Sequence, residues 1–347
     1  MEKGKEMKVV IDAFGGDNAP LCNIDGAILA LSKFDNFNVV LVGDKDKLEP
    51  ILSEKKYDKS RLEIIDAKEV ITNDDTPTVA IKTMKNSSLV VALDYLKTND
   101  DCIGLVSAGS TGAVLTGGFL KIGRMRGVSR PALAPLLPTK TGGQVVLIDC
   151  GANVDCKPIN LCHFALMGSE YFRAMFGVEN PRVALLSNGV EDKKGNELVK
   201  EVFPMLKKLP INFVGNMEAR YALSGDYDVI VTDGFAGNVL LKSIEGAVKF
   251  TTGEIKEAMM SSFWGKVGGL LSKRSLKKVK SKLDYNKYGG SNFVGCKKTI
   301  VKSHGSSKSV TICAAVEQIL KLEQNKVNEK IQKAIEEMPE LCEVQNV

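Results

Sequence analysis

Histidine is almost missing from this chain, with two in 347 residues, and tryptophan occurs once. Any chemistry built on imidazole, as metal ligand or proton shuttle, has only His163 and His304 to draw on. His163 falls in a helix-like stretch. His304, beside Gly305-Ser306-Ser307, stands in a turn at a strand end, where it meets a substrate or serves as a satisfied structural residue. The eight cysteines include no CxxC pair, and the spacing of Cys156, Cys162 and His163 fits no zinc pattern. No metal is therefore expected, and the thiols read as small hydrophobes. Long apolar runs are also absent. None approaches the roughly 20 residues that span a bilayer, and no charged-then-apolar leader opens the chain. The expectation is a cytoplasmic protein. A GxxxxGK motif followed by Ser or Thr, a GxGxxG with its acidic follower and a nucleophile elbow are all lacking, so no cofactor is expected. Net charge is only +5, and no nucleic-acid partner is expected.

What the chain does have is alternation. Residues 8–12, 37–44, 62–66 and 102–106 are short β-rich runs, separated by helical spacing over 21–32 and 77–97. The format continues through residues 142–158, a helix over 159–176, residues 181–197 with a helix to about 208, and strands in INFVGNMEAR and DVIVTDG. This predicts an α/β fold of three layers, α/β/α, around a mostly parallel sheet. The strands run into turns of Gly, Asn, Asp and Ser, the kind that line ligand sites along the carboxyl edge of such sheets. The turn at residues 107–112, SAGSTG, joins a buried strand to a helix start. Its glycines admit a close ligand, and first-turn N–H groups and hydroxyls can donate to an anion. The alternative is that Ser110 or Thr111 merely caps the helix.

Over about 245–288 the texture changes. The helix after Asn238 is expected to run past Met260. Phe263, Trp264, Val267, Leu270 and Leu271 then form a glycine-broken apolar tip, and Lys273, Arg274, Lys277 and Lys278 form a basic collar. An inserted helical hairpin follows from this pattern. Its apolar stripe packs on the protein or a second subunit, or the tip with its basic collar rests on an anionic membrane or receives an acidic protein. The α/β format returns in YGGSNFVG, a strand within 297–307 and a final helix over 310–333. Residues 7–335 thus read as a single α/β/α unit carrying the hairpin, with 1–6 and 336–347 as flexible termini.

The turns offer N–H, amide and hydroxyl donors, and EDKKGNE adds a compact charge cluster whose lysine suits a phosphate or an oxyanion. Such a set suits acyl-phosphate chemistry without a metal: hold inorganic phosphate, set it against a carbonyl, and stabilise the tetrahedral oxyanion.

The strings IDAFGGDNAP, SAGSTGA, GRMRGVSRPALAP, DCGANVDCKP, EDKKGNE, NFVGNMEAR, VTDGFAGNV, YGG and HGSS run in order over nearly the whole chain. Together they resemble the acyl-ACP:phosphate acyltransferases of bacterial phospholipid synthesis, the PlsX family. The resemblance implies a three-layer fold like that of isopropylmalate dehydrogenases and phosphotransacetylases. It implies transfer of a long-chain fatty acyl group from acyl carrier protein to inorganic phosphate. The acyl phosphate would be handed to a glycerol-3-phosphate acyltransferase for phosphatidic acid synthesis. It further implies a homodimer attached peripherally to an anionic membrane surface. Carried over by position, Asp12, Gly15, Gly16 and Asp17 belong to the first site turn, and Ser107, Gly109, Ser110, Thr111 and Gly112 to the phosphate cradle. Asn153, Asp155, Asp233, Gly234 and His304 complete the binding set, while Lys194, polarising phosphate or carbonyl, and Asn238, donating to the oxyanion, are the expected catalytic pair. The family commonly has methionine, histidine and asparagine where Phe14, Asn18 and Ser110 stand; Asn18 weakens a proton-transfer role for the first turn, while Ser110 still donates to an anion. A phosphotransacetylase-like enzyme using acyl-CoA and a non-catalytic phosphate- or membrane-binding scaffold are the competing readings.

Overall fold

A computed structural model describes residues 7–283 and 288–338. Strands β1 (Met7–Asp12), β2 (Phe37–Gly43) and β4 (Cys102–Ser107) are apolar and mostly buried along both faces, as strands covered by helices on both sides must be. With β3 (Leu62–Asp66), β12 (Thr299–Lys302), β11 (Ser291–Val294) and β5 (Ala132–Ala134) they make a seven-stranded sheet, ordered β3-β2-β1-β4-β12-β11-β5 and antiparallel only around β11. A second sheet has five strands in the order β6-β7-β10-β8-β9. These are β6 (Leu136–Pro138), β7 (Gln144–Ile148), β10 (Val229–Val231), β8 (Arg182–Ser187) and β9 (Asn212–Glu218), parallel except for β6 against β7. The one sheet expected from sequence is thus two. They meet at Pro135, which has no N–H to continue a ladder but accepts the Leu147 N–H at 3.1 Å.

Alternate strand residues face opposite layers. Val9, Ile11 and Leu41 pack with helices α1 (Leu21–Lys33) and α11 (Ser309–Gln324). Val10, Val40 and Leu105 pack with α4 (Ser88–Thr98). In the second sheet, α6 (Pro158–Phe176) covers one face through Phe164, Met167 and Tyr171. Leu240 of α8 (Gly234–Met260) packs against Leu147 and Ile230 on the other. The α/β/α layering holds on both sheets.

Some expectations are corrected. The helical region over 77–97 is two helices, α3 (Pro77–Thr83) and α4, broken at Met84, where ψ is 64°. The final helix is likewise split into α11 and α12 (Val327–Glu336) at Lys326, whose φ is +52°. Between β2 and β3 lies α2 (Lys45–Ser53), whose Pro50 and charge density hid it from a periodicity argument. Helix α8 begins at Gly234, ahead of Asn238, and ends at Met260 rather than running past it. Helix α9 (Phe263–Leu271) then folds back, its start capped by Ser262 on the Gly265 N–H at 3.0 Å. A Cβ at Gly265 would lie 2.7 Å from the Met259 carbonyl oxygen, so the reversal needs glycine there. Helix α10 (Lys273–Leu283) follows. No helix among the described residues is long and apolar enough to cross a membrane. The flexible termini expected at 1–6 and 336–347 lie outside the described residues apart from 336–338, and Glu336 itself ends α12.

Asp149 joins these pieces. Buried directly after β7, its carboxylate accepts N–H groups from Leu133 of β5 (2.8 Å), Cys150 (2.7 Å), Ala152 (3.2 Å) and Asn153 (2.6 Å). Asn153 in turn offers its carbonyl to the Gly234 N–H at 2.8 Å, which seats the start of α8. Helix α8 packs so closely there that a Cβ at Gly237 would lie 2.0 Å from the Asp149 carbonyl oxygen. Asp149→Ala leaves these buried donors without an acceptor, and each orphaned group costs about 1–3 kcal/mol. The expected loss is roughly 3 kcal/mol or more, read as a lowered urea midpoint at unchanged m.

Candidate active site

Strands β1, β4 and β12 are adjacent and parallel, so their carboxyl ends share one edge. Three turns converge there. Asp12, the last residue of β1, is buried and accepts the Ser107 hydroxyl at 2.7 Å, while that hydroxyl accepts the Gly109 N–H at 3.1 Å. The Ser303 N–H reaches the Ser107 carbonyl at 2.9 Å, and the Asp17 N–H reaches the Gly305 carbonyl at 2.8 Å. Asn23 donates to the carbonyls of Asp12, Ala13 and Gly15, and Asn18 to those of Ser306 and Ser307. The first turn lies so close on the second that a Cβ at Gly15 would meet Asp12 Oδ2 at 2.6 Å and the Gly109 nitrogen at 2.7 Å. Gly16, at φ +100°, adopts a conformation that side chains rarely take.

Between this edge and the first turns of α8 opens a cavity of about 140 Å³. Thr111, Asn238, Lys242, Glu245, Lys302 and His304 supply polar groups, and Leu133, Pro135, Leu136, Leu137 and Leu241 supply apolar wall. Asn238, Lys242 and Glu245 fall on one helical face by their spacing. Lys242 pairs with Glu245 at 2.7 Å. Lys302 ends β12, is 7% exposed, and donates to the Ser303 carbonyl. It makes no ion pair among the described residues. Burial pushes the Asp12 carboxyl up and the Lys302 ammonium down, the latter from 10.5 to about 8 against the opposing pull of Asp12. Burial, with Lys242 adding to it, also lowers His304, whose Nδ1 lies 2.9 Å from the Ser306 hydroxyl. Cys150 lines the cavity too, but burial holds its thiol protonated, so it is not poised as a nucleophile.

The sequence-predicted residues divide accordingly. Asp12, Gly15, Gly16, Asp17, Ser107, Gly109, Ser110, Thr111 and Gly112 gather in two adjoining turns, and Thr111, Asn238 and His304 line the cavity. Ser110 occupies the N-cap position of α5 (Thr111–Gly117) yet makes no side-chain capping bond. Asn153 is committed to the fold, its amide donating to the Pro131 carbonyl and to Asp149. Asp155 is exposed with its carbonyl held by Arg130. Asp233 caps α8 through the Ala236 N–H at 2.8 Å, and Gly234 abuts Asn153. Lys194 is exposed on the turn after β8 and is not among the residues lining the cavity. Phe263, Trp264, Leu270 and Leu271 are 71–82% exposed on α9, with Val267 half-buried; Lys273, Arg274, Lys277 and Lys278 are exposed on α10. Sequence reading missed Lys302 and Lys242. The available signals were a lysine closing the apolar strand TIVK directly before a Gly/Ser turn, and a lysine four residues after Asn238.

Chemically, the cavity offers two ammonium groups, an amide and several hydroxyls against one carboxylate that is already paired. It favours an anion next to an apolar wall.

Residues 7–330 match the family model described as Fatty acid synthesis protein. The chain is 44% identical over 329 residues to the phosphate acyltransferase of Clostridioides difficile (strain 630), covering 95% of this chain and 96% of that protein. It is 43% identical over 337 residues to the phosphate acyltransferase of Bacillus licheniformis, covering 95% and 100%. Among solved structures, a phosphotransacetylase from Streptococcus pyogenes superposes with a TM-score of 0.57 at 17% identity, covering 95% of each chain.

Lys302 makes stability depend on pH. The unfolded lysine holds its proton to about pH 10.5 and the folded one only to about pH 8, so the unfolded state binds more protons between those values and wild-type stability rises across them. Lys302→Met removes that slope. The variant is expected to be more stable than wild type at pH 7, on the order of 1–3 kcal/mol. The excess should shrink as pH rises from 8 toward 10, as measured by urea unfolding at both ends. A pH-independent difference would contradict the placement of a chargeable amine in this cavity.

Proposed function

From the premise that the chain belongs to the fatty acid synthesis protein family and is an acyltransferase acting on phosphate, we propose that its acyl donor is a long-chain acyl-ACP and that its acyl phosphate feeds phosphatidic acid synthesis. The observation that carries the site assignment is the cavity itself, in which Asn238 and two lysines face the Gly/Ser edge of the sheet. Phosphate would lie against Thr111 and the N–H groups of the 107–112 turn, with Lys302 and Lys242 balancing its charge. The donor's carbonyl would lie over it, Asn238 donating to the oxyanion as the tetrahedral adduct forms. Phosphate brings its own negative charge, so the attack needs no covalent enzyme intermediate. Lys194 stays in the proposal as a cation on the neighbouring turn: β8 and β10 are adjacent and parallel, so the turns after them open at the same edge.

Acyl carrier proteins are acidic, and the exposed basic face of α10 would steer one toward the cleft. The aromatic and leucine tip of α9 would enter the membrane interface where a lipid-like product is consumed. Exposed Phe235, Val239, Phe250 and Ile255 along α8 offer a surface for a second copy, giving a homodimer. We place the protein in the cytoplasm at the membrane surface, and treat residues 7–335 as one catalytic unit.

The direct test is acyl phosphate formation from long-chain acyl-ACP and inorganic phosphate, trapped as the hydroxamate. Product is expected with acyl-ACP and phosphate, and Asn238→Ala should cut turnover roughly 100-fold or more, the usual cost of one oxyanion donor. Lys194→Ala is assayed beside it. Equal use of acyl-CoA would favour the phosphotransacetylase-like reading, and no product from folded protein would favour a scaffold. At the hairpin, replacing Trp264 and Leu270 with Glu is expected to weaken co-sedimentation with anionic vesicles by roughly 10-fold or more. Turnover in solution should stay within about twofold, since neither residue lines the cavity. Unchanged vesicle binding would refute the membrane role.

A further inference from the structure

We propose that Lys302 is the acid that delivers a proton to the departing thiol of the acyl donor. This deepens, and rests on, the reading of the cavity as the site of acyl transfer to phosphate. A lysine that only held the fold together would be paired, yet among the described residues Lys302 has its own neighbour's carbonyl and no carboxylate within ion-pair distance. Its side chain is buried at the end of β12 and lines the cavity with Thr111, Asn238 and Lys242.

The other candidates are poorly suited. Burial lowers His304 from its ordinary value, which disfavours the imidazolium that would have to act as the acid. Glu245 is engaged by Lys242, and the Cys150 thiol is held too weakly acidic. The charged groups acting on Lys302 are Asp12 and Asp17 from the β1 side and Lys242 from α8, while His304 and Glu245 share the cavity wall. Their balance, with burial, brings the ammonium to about 8, close to the roughly 8.5 of an ordinary thiol. Matched acidity is the condition for efficient proton transfer to that leaving group.

The step balances without another reactant. An oxygen of hydrogen phosphate bonds to the thioester carbonyl carbon, and the π pair moves onto the carbonyl oxygen. The adduct collapses, the C=O re-forms, and the C–S bond breaks with its electron pair on sulfur. The Lys302 ammonium gives sulfur a proton, and the resulting amine takes the proton that hydrogen phosphate brought. Hydrogen phosphate dianion and thioester become acyl phosphate dianion and thiol.

The test uses the full chain with acyl-ACP and phosphate, at pH 6.5–10, comparing wild type, Lys302→Met and Lys302→Arg. In wild type, kcat/KM for phosphate should fall above an apparent pKa near 8, the free enzyme's acid. Lys302→Met should lower single-turnover rates at saturating phosphate by about 10²–10⁴-fold, the usual range for a lost general acid, and abolish that alkaline limb, beyond the rise in KM for phosphate that losing its charge brings. Lys302→Arg keeps the charge but cannot release its proton, so it should not restore the rate. A retained limb in Lys302→Met, a defect confined to KM, or full rescue by arginine would each overturn the proposal and leave Lys302 as a phosphate-binding cation. Wild type that forms no acyl phosphate would instead overturn the functional reading on which it stands.

Discussion

A buried carboxylate has to be met by donors, and Asp149 is met from both sides of the junction between the sheets. It takes N–H groups from β5, which belongs to the seven-stranded sheet, and from the turn that seats α8 on the five-stranded one. Desolvation alone would drive this group toward its neutral form, and the converging donors oppose that. Because the cavity lies between the edge of one sheet and a helix packed on the other, its width is set where Asp149 sits. Gly234 and Gly237 are then a steric consequence: a side chain at either would push α8 off the Asn153 and Asp149 carbonyls it packs against.

The opposite wall follows another constraint. Parallel strands end together, and three of them end here in residues that are polar yet buried: Asp12, Ser107 and Lys302. Asp12 is half satisfied, with Oδ2 held by Ser107 and Oδ1 lacking a partner among the described residues. Lys302 and Asp12 are each driven toward neutrality by burial. A phosphate dianion entering this space adds to the pull that Asp12 and Asp17 already exert on Lys302, and so raises its proton affinity. In the proposed mechanism the acid is therefore charged most fully when the nucleophile is in place, and it discharges as the negative charge moves onto sulfur.

The strands and their turns were legible in the sequence because they obey local rules: short apolar runs stop at Gly, Asn, Asp or Ser, and these turns do gather along the sheet edges. What escaped was decided by tertiary context. The breaks at Met84 and Lys326 lie inside helical spacing, and backbone conformation at a single residue redirects the chain. Asn153 read as a ligand because its turn was right, but its amide is turned to Pro131 and Asp149. Lys194 stood out as a lysine in a Gly turn, whereas Lys302, closing a strand, was passed over. Only the register of β12 against β4, which sets Lys302 beside Ser107, makes it a buried cation facing a cavity.

Helix α8 links the two parts of the proposed function. Its first turns carry Asn238 and Lys242 into the cavity, and beyond Ile244 it is largely exposed and leads to the hairpin. At about 1.5 Å per residue, its 27 residues extend roughly 40 Å, so the apolar tip stands well away from the reacting atoms. A helix of that length can act as a lever only if its base yields. The base here is locked by Asp233 on its first N–H groups, by the Asn153 carbonyl, and by backbone contact at Gly237 too tight for a methyl group. Docking at the tip would then fix where the cleft stands relative to a bilayer while leaving its shape unchanged. That division suits the proposed function, in which the donor arrives from solution and the product is consumed at a membrane.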